Sequence, residues 1–253
     1  MRDKKEVLRT EELAAGYNGK AVISGVDISV SSGEILSIIG KNAEGKSTIL
    51  KTLSGLLKPV AGKIYINEKD REKMAANELS RAVSILLTDK PRAELMSCAD
   101  VVASARYPYT GKFGTLTKAD IDCVEEAMRI ADVEKIKNTP FACLSDGQKQ
   151  RVMLSRAICQ DPQVIIMDEP TSFLDIAYKL EFMALTRTLA KEKNIAVIMT
   201  IHDLEIAEKL SDKVVCLKNG KVDRTDTPQN IFTDEYIIEL FDINGENYKS
   251  IYG

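Results

Sequence analysis

The sequence predicts an α/β fold: a largely parallel β-sheet with an antiparallel region at the N-terminal end and an inserted helical subdomain. Apolar segments of strand length, such as residues 35–39, 164–167 and 196–201, alternate with longer segments of helical pattern. This alternation is typical of parallel sheets. From about residue 89 to residue 159 the pattern is mostly helical instead. We therefore expect a helical unit inserted into the α/β core.

The elements of the core follow from apolar periodicity and flanking turn residues. The predicted buried strands are residues 33–40, 163–168, 195–201 and 214–217. The predicted helices are residues 46–57 and 203–210. Asn219 and Gly220 predict a hairpin turn after the last strand. The first thirty residues carry alternating strands and predict an antiparallel edge, whereas the tail after Asp223 is weakly patterned.

One helix of the insert can be placed in detail. Thr117 is a plausible N-cap, and the apolar residues behind it are spaced to line one helix face. These residues are Ile121, Val124, Met128 and Ala131. The chain is therefore predicted to be one domain, residues 1–253, made of a core (1–87 and 160–253) and a helical subdomain (88–159).

Composition argues against several classes of protein. Hydrophobic residues make up 44% and charged residues 29% of the 253, so a sizeable core can form, and the formal net charge of −3 gives no basic excess for binding nucleic acid. No segment approaches the roughly 18 apolar residues that cross a bilayer, and the N-terminus does not resemble a signal peptide. The five cysteines lack metal-ligand spacing and are predicted to be small buried thiols in a reducing compartment.

A phosphate-binding loop is predicted between the strand at 33–40 and the helix at 46–57. The segment fits the pattern G-x-x-x-x-G-K-[ST] and consists of Gly40, Lys41, Asn42, Ala43, Glu44, Gly45, Lys46, Ser47 and Thr48. Glycines let the backbone N–H groups point at phosphate oxygens, and the helix N-terminus adds its dipole. Lys46 supplies positive charge, and the Ser47 hydroxyl can ligate Mg²⁺. We expect ATP and Mg²⁺ to bind here.

Two acids follow the apolar strand at 163–168. Ligands of parallel sheets bind beyond the carboxyl ends of the strands, so Asp168 is expected to face the Mg²⁺ held by Ser47. Glu169, one residue later, can orient and deprotonate the attacking water. Downstream of a phosphate loop, this pair predicts ATP hydrolysis.

Further motifs resemble those of the ABC ATPases, a family of P-loop NTPases with a RecA-like core. Leu144-Ser145-Asp146-Gly147-Gln148 resembles the signature LSGGQ, and the segment ending at Asp175 is similar to the D-loop. Thr200-Ile201-His202-Asp203 matches the switch-histidine motif, and Tyr17 lies where the family stacks an aromatic ring on adenine. The order and spacing agree from about Tyr17 to Phe232.

The resemblance implies how the molecule works. His202 would hydrogen-bond the γ-phosphate and keep the water and Glu169 in line. Two copies would pair head to tail, so that Ser145, with Gly147 and Gln148, caps the ATP bound to Lys46 of the other copy. Opening and closing of this homodimer would drive integral membrane permease subunits, which contact the chain near residues 88–115. An extracytoplasmic substrate-binding protein would act indirectly, and the chain would be cytoplasmic, peripheral on the inner face of the membrane.

Two positions depart from the family pattern. Asp146 replaces a glycine, and because an acid is favoured at a helix start we expect it to point away from the nucleotide. Thr88 stands where the family has a glutamine that contacts Mg²⁺ and water. Threonine keeps an oxygen ligand, and Asp89 could substitute instead, so the link between the permease and the site depends on one of the two.

The segment Ala105-Arg106-Tyr107-Pro108-Tyr109-Thr110-Gly111, followed by Phe113-Gly114, resembles a stretch of importers of iron–siderophore complexes, haem and vitamin B12. It predicts an iron-chelate importer, with cobalamin as a neighbouring cargo. Two alternatives are a soluble ABC ATPase that moves no substrate and a nucleotide-dependent subunit that hydrolyses poorly because of Thr88.

Overall fold

The computed structural model describes residues 5–88, 93, 95–111, 114–172 and 174–246. The strands in this part of the chain are β1 (Glu6–Tyr17), β2 (Lys20–Val26), β3 (Ser29–Ser31), β4 (Ile35–Gly40), β5 (Ala61–Ile66), β6 (Lys69–Asp70), β7 (Val83–Leu86), β8 (Val164–Met167), β9 (Ala196–Thr200), β10 (Lys213–Lys218) and β11 (Lys221–Asp226). The α-helices are α1 (Lys46–Leu53), α2 (Ala76–Ala82), α3 (Cys98–Ala103), α4 (Lys118–Ile130), α5 (Asp146–Cys159), α6 (Ile176–Lys193), α7 (Leu204–Leu210), α8 (Pro228–Ile231) and α9 (Asp234–Phe241).

The larger sheet has six strands in the order β11-β10-β4-β9-β8-β7. All neighbours from β10 to β7 are parallel, and only β11 pairs antiparallel, through the hairpin at Asn219 and Gly220. Every residue of β4, β8 and β9 is buried, as expected for strands in a parallel sheet covered on both faces. The carboxyl ends of these three strands meet at one edge, and this edge positions the site. The predicted α/β fold is confirmed.

The smaller sheet is antiparallel, with the order β2-β1-β5-β6 and β3 paired to β1. It confirms the predicted antiparallel region and extends it, because β5 and β6, which follow α1 in the chain, complete it. Its inner face shares an apolar cluster with α1, in which Leu13 and Ile23 of the sheet and Ile49 and Leu50 of the helix are buried. The helix behind the phosphate loop is therefore held between two sheets.

The helical region contains α3, α4 and α5. Thr117 is confirmed as the N-cap of α4, where its hydroxyl accepts a hydrogen bond from the Asp120 N–H. The predicted helix face is wrong at Ile121, which is 47% exposed, while Asp120 is buried. The reason is a buried ion pair, in which Arg106 Nε lies 2.9 Å from Asp120 Oδ1. This ion pair places Asp120, rather than Ile121, on the buried face of α4. One apolar cluster contains residues of α3, α4 and α5 together with residues of β7 and β8. The predicted division into a core and a helical subdomain therefore stays a prediction.

Other differences from the sequence prediction are local. The helix predicted at 46–57 ends at Leu53, because Gly55 adopts a φ of +89°. The tail after Asp223 contains α8 and α9, which pack Ile231 and Tyr236 into the apolar core. In the described part of the chain, no helix is long and apolar enough to cross a membrane. The five cysteines are free, and Cys98, Cys159 and Cys216 are buried as predicted, whereas Cys123 is half-buried and Cys143 is exposed.

Candidate nucleotide site

The phosphate loop joins the end of β4 to the start of α1. Its backbone turns through left-handed conformations at Ala43 (φ +67°) and Gly45 (φ +92°). A Cβ on Gly40 would lie 2.6 Å from the Leu217 carbonyl oxygen, and one on Gly45 would lie 3.2 Å from Ile23. Glycine is therefore required at both ends of the loop. The first turn of α1 has no side-chain cap, so its N–H groups are available to an anion.

Lys46 is buried in the centre of this loop. Its Nζ donates hydrogen bonds to the carbonyl oxygens of Gly40 (2.8 Å) and Lys41 (2.7 Å). Burial lowers the pKa of Lys46, and nearby carboxylates oppose that effect. The ammonium group is thus held inside the loop, where its charge can act on phosphate oxygens.

The loop side chains between Gly40 and Gly45 face different neighbours. Lys41 forms an ion pair with Asp242, the C-cap residue that follows α9. The Glu44 carboxylate accepts a hydrogen bond of 2.8 Å from the N–H of Gly220 in the β10–β11 hairpin. Asn42 is exposed. Lys41 and Glu44 therefore anchor the outside of the loop.

Ser47 and Asp168 meet, although 121 residues separate them in the chain. The Ser47 hydroxyl donates a hydrogen bond of 3.0 Å to Asp168 Oδ1. Mg²⁺ prefers oxygen ligands, and it is usually bound by one or two protein groups together with phosphate and water oxygens. Among the described residues no group of three His, Cys, Asp or Glu side chains could hold a metal. The Ser47–Asp168 pair fits the magnesium ion that the sequence predicts.

Glu169 adopts a left-handed conformation (φ +47°) directly after β8. Its Oε1 lies 2.5 Å from Nε2 of His202, and its Oε2 accepts a hydrogen bond of 3.1 Å from Ser172 Oγ. Both carboxylate oxygens are therefore held, while the side chain remains 28% exposed. Sequence reasoning missed the contact of Ser172. The spacing of three residues between this acid and a hydroxyl is the signal that the sequence offers.

Thr88 lies just beyond the carboxyl end of β7. Its hydroxyl donates a hydrogen bond of 2.8 Å to the carbonyl oxygen of Asp168. It is thus bonded to the backbone of the residue predicted to bind Mg²⁺, rather than to that residue's carboxylate. Asp89, the other candidate for the glutamine position, lies outside the described residues.

The signature residues lie at the start of α5. Ser145 is the N-cap, and it forms a capping box with Gln148. Gly147 is buried against Tyr178 of α6, whose ring carbon Cδ1 would lie 2.8 Å from an added Cβ. Asp175 caps α6 by accepting a hydrogen bond of 2.9 Å from the Tyr178 N–H. Asp146 is exposed in the first turn of α5, where the helix dipole favours an acid.

The structure thus joins part of the predicted site by direct contacts. These contacts connect Lys46 to its own loop, Ser47 and Thr88 to Asp168, and Glu169 to His202. Ser145 and Gln148 of the signature instead bond each other, and Asp175 bonds the Tyr178 N–H. Tyr17 ends β1 and is 45% exposed, and Thr48 is buried in α1.

Comparison with known proteins agrees with this geometry. Residues 23–172 match the family described as "ABC transporter". An uncharacterized ABC transporter ATP-binding protein of Methanocaldococcus jannaschii is 40% identical over 247 residues, which cover 98% of this chain and 85% of that protein. The iron(3+)-hydroxamate import ATP-binding protein FhuC of Bacillus subtilis is 33% identical over 239 residues, 94% of this chain and 89% of that protein.

Among solved structures, one described as a transporter of the metal-chelate type, in an inward-facing conformation, superposes with a TM-score of 0.82. It is 25% identical and covers 94% of this chain and 89% of its own. The family match spans more than half of the chain, and the relatives align along nearly all of it. The chain therefore belongs to the ABC transporter family, as an ATP-binding subunit that is an ATPase.

Proposed function

We propose that this chain hydrolyses Mg²⁺-ATP to energise an importer of iron chelates, with cobalamin as the alternative cargo. The observation that carries the catalytic part is the convergence of three strand ends. The phosphate loop follows β4, the two acids follow β8 and His202 follows β9, all at one edge of the sheet. Such an edge is where open α/β sheets bind their ligands.

In this proposal each group has a defined task. The loop N–H groups and Lys46 bind the phosphates, and Tyr17 stacks on adenine. Ser47 and Asp168 hold Mg²⁺, which neutralises charge on the phosphate oxygens when bound. The Glu169 carboxylate orients the attacking water and accepts its proton, and His202 fixes that carboxylate. The hydrogen bond between Glu169 and His202 supports this assignment.

The signature residues serve a second copy of the chain. The start of α5 presents Ser145 at an exposed helix N-terminus, which attracts anions through its N–H groups and dipole. Its observed hydrogen bonds stay within the first turns of α5 rather than reaching its own phosphate loop. A head-to-tail homodimer, with Asp175 near the contact, would bring Ser145, Gly147 and Gln148 onto the partner's ATP.

The permease docks in a groove between the core and the helical region. This cavity has a volume of about 430 Å³. Its rim carries two apolar side chains that are unusually exposed, Leu56 (56%) and Tyr107 (77%). Arg156 also lines it; burial lowers the Arg156 pKa, and its Nε donates to the Ser104 hydroxyl at 3.1 Å. An apolar segment with an acidic residue would fit this groove.

The groove refines the cargo argument from the segment 105–114. Arg106 and Tyr109 point inward: Arg106 pairs with Asp120, and the Tyr109 hydroxyl donates to the Gln160 carbonyl at 2.9 Å. Of the described residues of this segment, Ala105, Tyr107 and Pro108 line the groove. The iron-hydroxamate relative and the metal-chelate transporter add support for an iron chelate. The chain would lie on the cytoplasmic face of the membrane, with a substrate-binding protein outside.

The test is uptake in a strain that lacks the gene. We expect loss of uptake of labelled ferric hydroxamate, haem or cobalamin, restored by the wild-type chain but not by Lys46→Ala, which removes the central phosphate-binding charge. Lys63→Ala, an exposed lysine of β5, is the matched control and should restore uptake.

The outcomes separate the alternatives. If uptake of a sugar or amino acid depends on the chain and that of the chelates does not, the cargo is wrong. If no uptake depends on the chain while the purified protein hydrolyses ATP, the non-transport ATPase is favoured. If the chain binds ATP without turnover even beside its permease, the weakly hydrolysing subunit is favoured.

A further inference from the structure

Thr200, the last residue of β9, joins the two acids that follow β8. Its side chain is fully buried (0% exposed). The hydroxyl donates a hydrogen bond of 2.8 Å to Asp168 Oδ1 and accepts one of 2.9 Å from the Glu169 N–H. One hydroxyl thus holds the carboxylate of the first acid and the backbone of the second.

The two hydrogen bonds of Thr200 hold the Asp168 carboxylate and the Glu169 backbone, and the orientation of both groups is important for the proposed reaction. Asp168 Oδ1 is the oxygen that also accepts from Ser47, so Thr200 fixes the carboxylate toward the phosphate loop. Glu169 has a positive φ, which a glutamate adopts only when its surroundings hold it there. The bond from its N–H to Thr200 provides such a hold.

Strand β9 connects the hydrogen bond between Thr200 and the Glu169 N–H to His202. Thr200 and His202 are two residues apart at the carboxyl end of β9. The Thr200 hydroxyl therefore ties the end of β8 to the strand end that carries His202. Glu169 Oε1 and His202 Nε2 meet at 2.5 Å across the same two strand ends.

We propose that Thr200 is a positioning residue for ATP hydrolysis, whose hydroxyl fixes Asp168 toward its metal-binding orientation and Glu169 toward His202. This inference rests on the proposed catalytic roles of the two acids. It assigns a fully buried hydroxyl inside the sheet to the geometry of the reaction.

The experiment compares Thr200→Val, which keeps the shape and loses the hydroxyl, with Thr200→Ser, which keeps the hydroxyl. The control is Thr186→Val: Thr186 is equally buried, but its hydroxyl bonds within α6, to the Phe182 carbonyl at 2.9 Å. Measurements are kcat, KM for ATP, thermal unfolding, and amide hydrogen exchange at Glu169 without nucleotide. Thr200→Ala serves if the valine variant does not fold.

We expect Thr200→Val to lower kcat about 10- to 100-fold, because two hydrogen bonds to catalytic groups are lost, while KM changes little. Exchange of the Glu169 amide should accelerate. Thr200→Ser should recover most of the rate and the protection, and Thr186→Val should match the wild type in both.

A wild-type kcat in folded Thr200→Val, or a serine variant as slow as valine, would overturn the inference. Failure of the proposed function looks different: the wild type would not hydrolyse ATP, or Glu169→Gln would be as active as wild type. The amide exchange is independent of turnover. An unchanged Glu169 amide in Thr200→Val therefore refutes the positioning role even if the protein has no ATPase activity.

Discussion

Two neighbouring acids at the end of β8 are held in different ways. Asp168 is buried (6% exposed), and its Oδ1 accepts two hydroxyl hydrogen bonds. Glu169 leaves the strand through a left-handed turn that carries its carboxylate to His202 and keeps it partly exposed. The turn therefore separates a carboxylate suited to a metal ion from one that water can reach.

The prediction at this scale concerns Glu169→Gln. The amide keeps the size of the side chain and can still bond His202, but it cannot accept the proton of water. We expect ATP binding to persist and turnover to fall about 10²- to 10⁴-fold. The variant should also accumulate an ATP-bound dimer, which light scattering detects.

The control for this prediction is Glu192→Gln, an exposed glutamate of α6, which should behave as wild type. Turnover of Glu169→Gln equal to that of the wild type would remove Glu169 from the role of general base. ATP binding lost together with turnover would show that the side chain supports the fold of the site instead.

Sequence alone predicted the charged groups of the site and the Ser47 hydroxyl, but not the contacts of Thr200 and Ser172 with the two acids. Lys46, Asp168 and His202 each follow a recognisable strand, so their meeting at one sheet edge could be foreseen. No motif assigns a role to the hydroxyl of Thr200 or of Ser172. The hydrogen bonds of Thr200 also join two strands whose residues are more than thirty positions apart in the chain. The position of Thr88 was foreseen, whereas its bond to the Asp168 carbonyl depends on the parallel pairing of β7 with β8.

Among the elements, the N-terminus of α4 is stabilised by more than its cap. Asp120 completes the capping box with Thr117 and also receives Arg106, which in turn donates to the Cys159 carbonyl at 3.0 Å. The Arg106 guanidinium lies 3.8 Å from the centre of the Tyr109 ring. One buried ion pair therefore connects α4, α5 and the segment that borders the groove.

This pair predicts a dependence of stability on pH. The hydrogen bonds from Thr117, and then that from Arg106, lower the pKa of Asp120 to about 2. The unfolded pKa is about 4, so the stabilisation is complete above pH 4 and is lost as the pH falls toward 2. Asp120→Asn should lower the free energy of unfolding by about 2 kcal/mol near neutral pH.

Chemical denaturation at several pH values measures this effect, and the gap between wild type and Asp120→Asn should close between about pH 4 and pH 2. Asp122→Asn, an exposed neighbour on the same helix, should leave stability unchanged. A gap that stays constant across this range would mean that the carboxylate charge of Asp120 contributes nothing.

Helices α4 and α9 show which structural features a local sequence pattern can predict and which it cannot. The α4 cap was predictable because its bonds lie within four residues. The burial of Asp120 in place of Ile121 was not, since it depends on Arg106 from a separate segment. The eight residues of α9 were also missed, because so short a helix is stable only through packing such as that of Tyr236 and Leu240 against the core.

At the scale of the whole molecule, nucleotide and permease would act on different surfaces. The phosphate loop lies at the carboxyl edge of the parallel sheet, whereas the groove lies between the core and the helical region. Thr88, at the end of β7, bonds the backbone of Asp168, and Ile85 of the same strand lines the groove. This short strand is therefore the most direct connection between the two surfaces.

The corresponding prediction uses the exposed rim of the groove. Tyr107→Asp and Leu56→Asp should abolish chelate uptake in the complemented strain, because a charge replaces apolar docking surface. The ATPase activity of the purified chain should change less than about twofold, since both side chains already face solvent. Ile121→Asp, also an exposed apolar residue but outside the groove, is the control. Normal uptake in the double variant would exclude the groove as the docking surface.

His202 is the only histidine of the 253 residues, and the chain has no tryptophan. Its ring contacts Glu169, so the protein carries a single imidazole, placed beside the proposed general base. In a proton NMR spectrum the ring C–H signals of this imidazole need no assignment, and they would report each nucleotide state directly. A polyhistidine affinity tag would obscure them, and it should be cleaved before such a measurement.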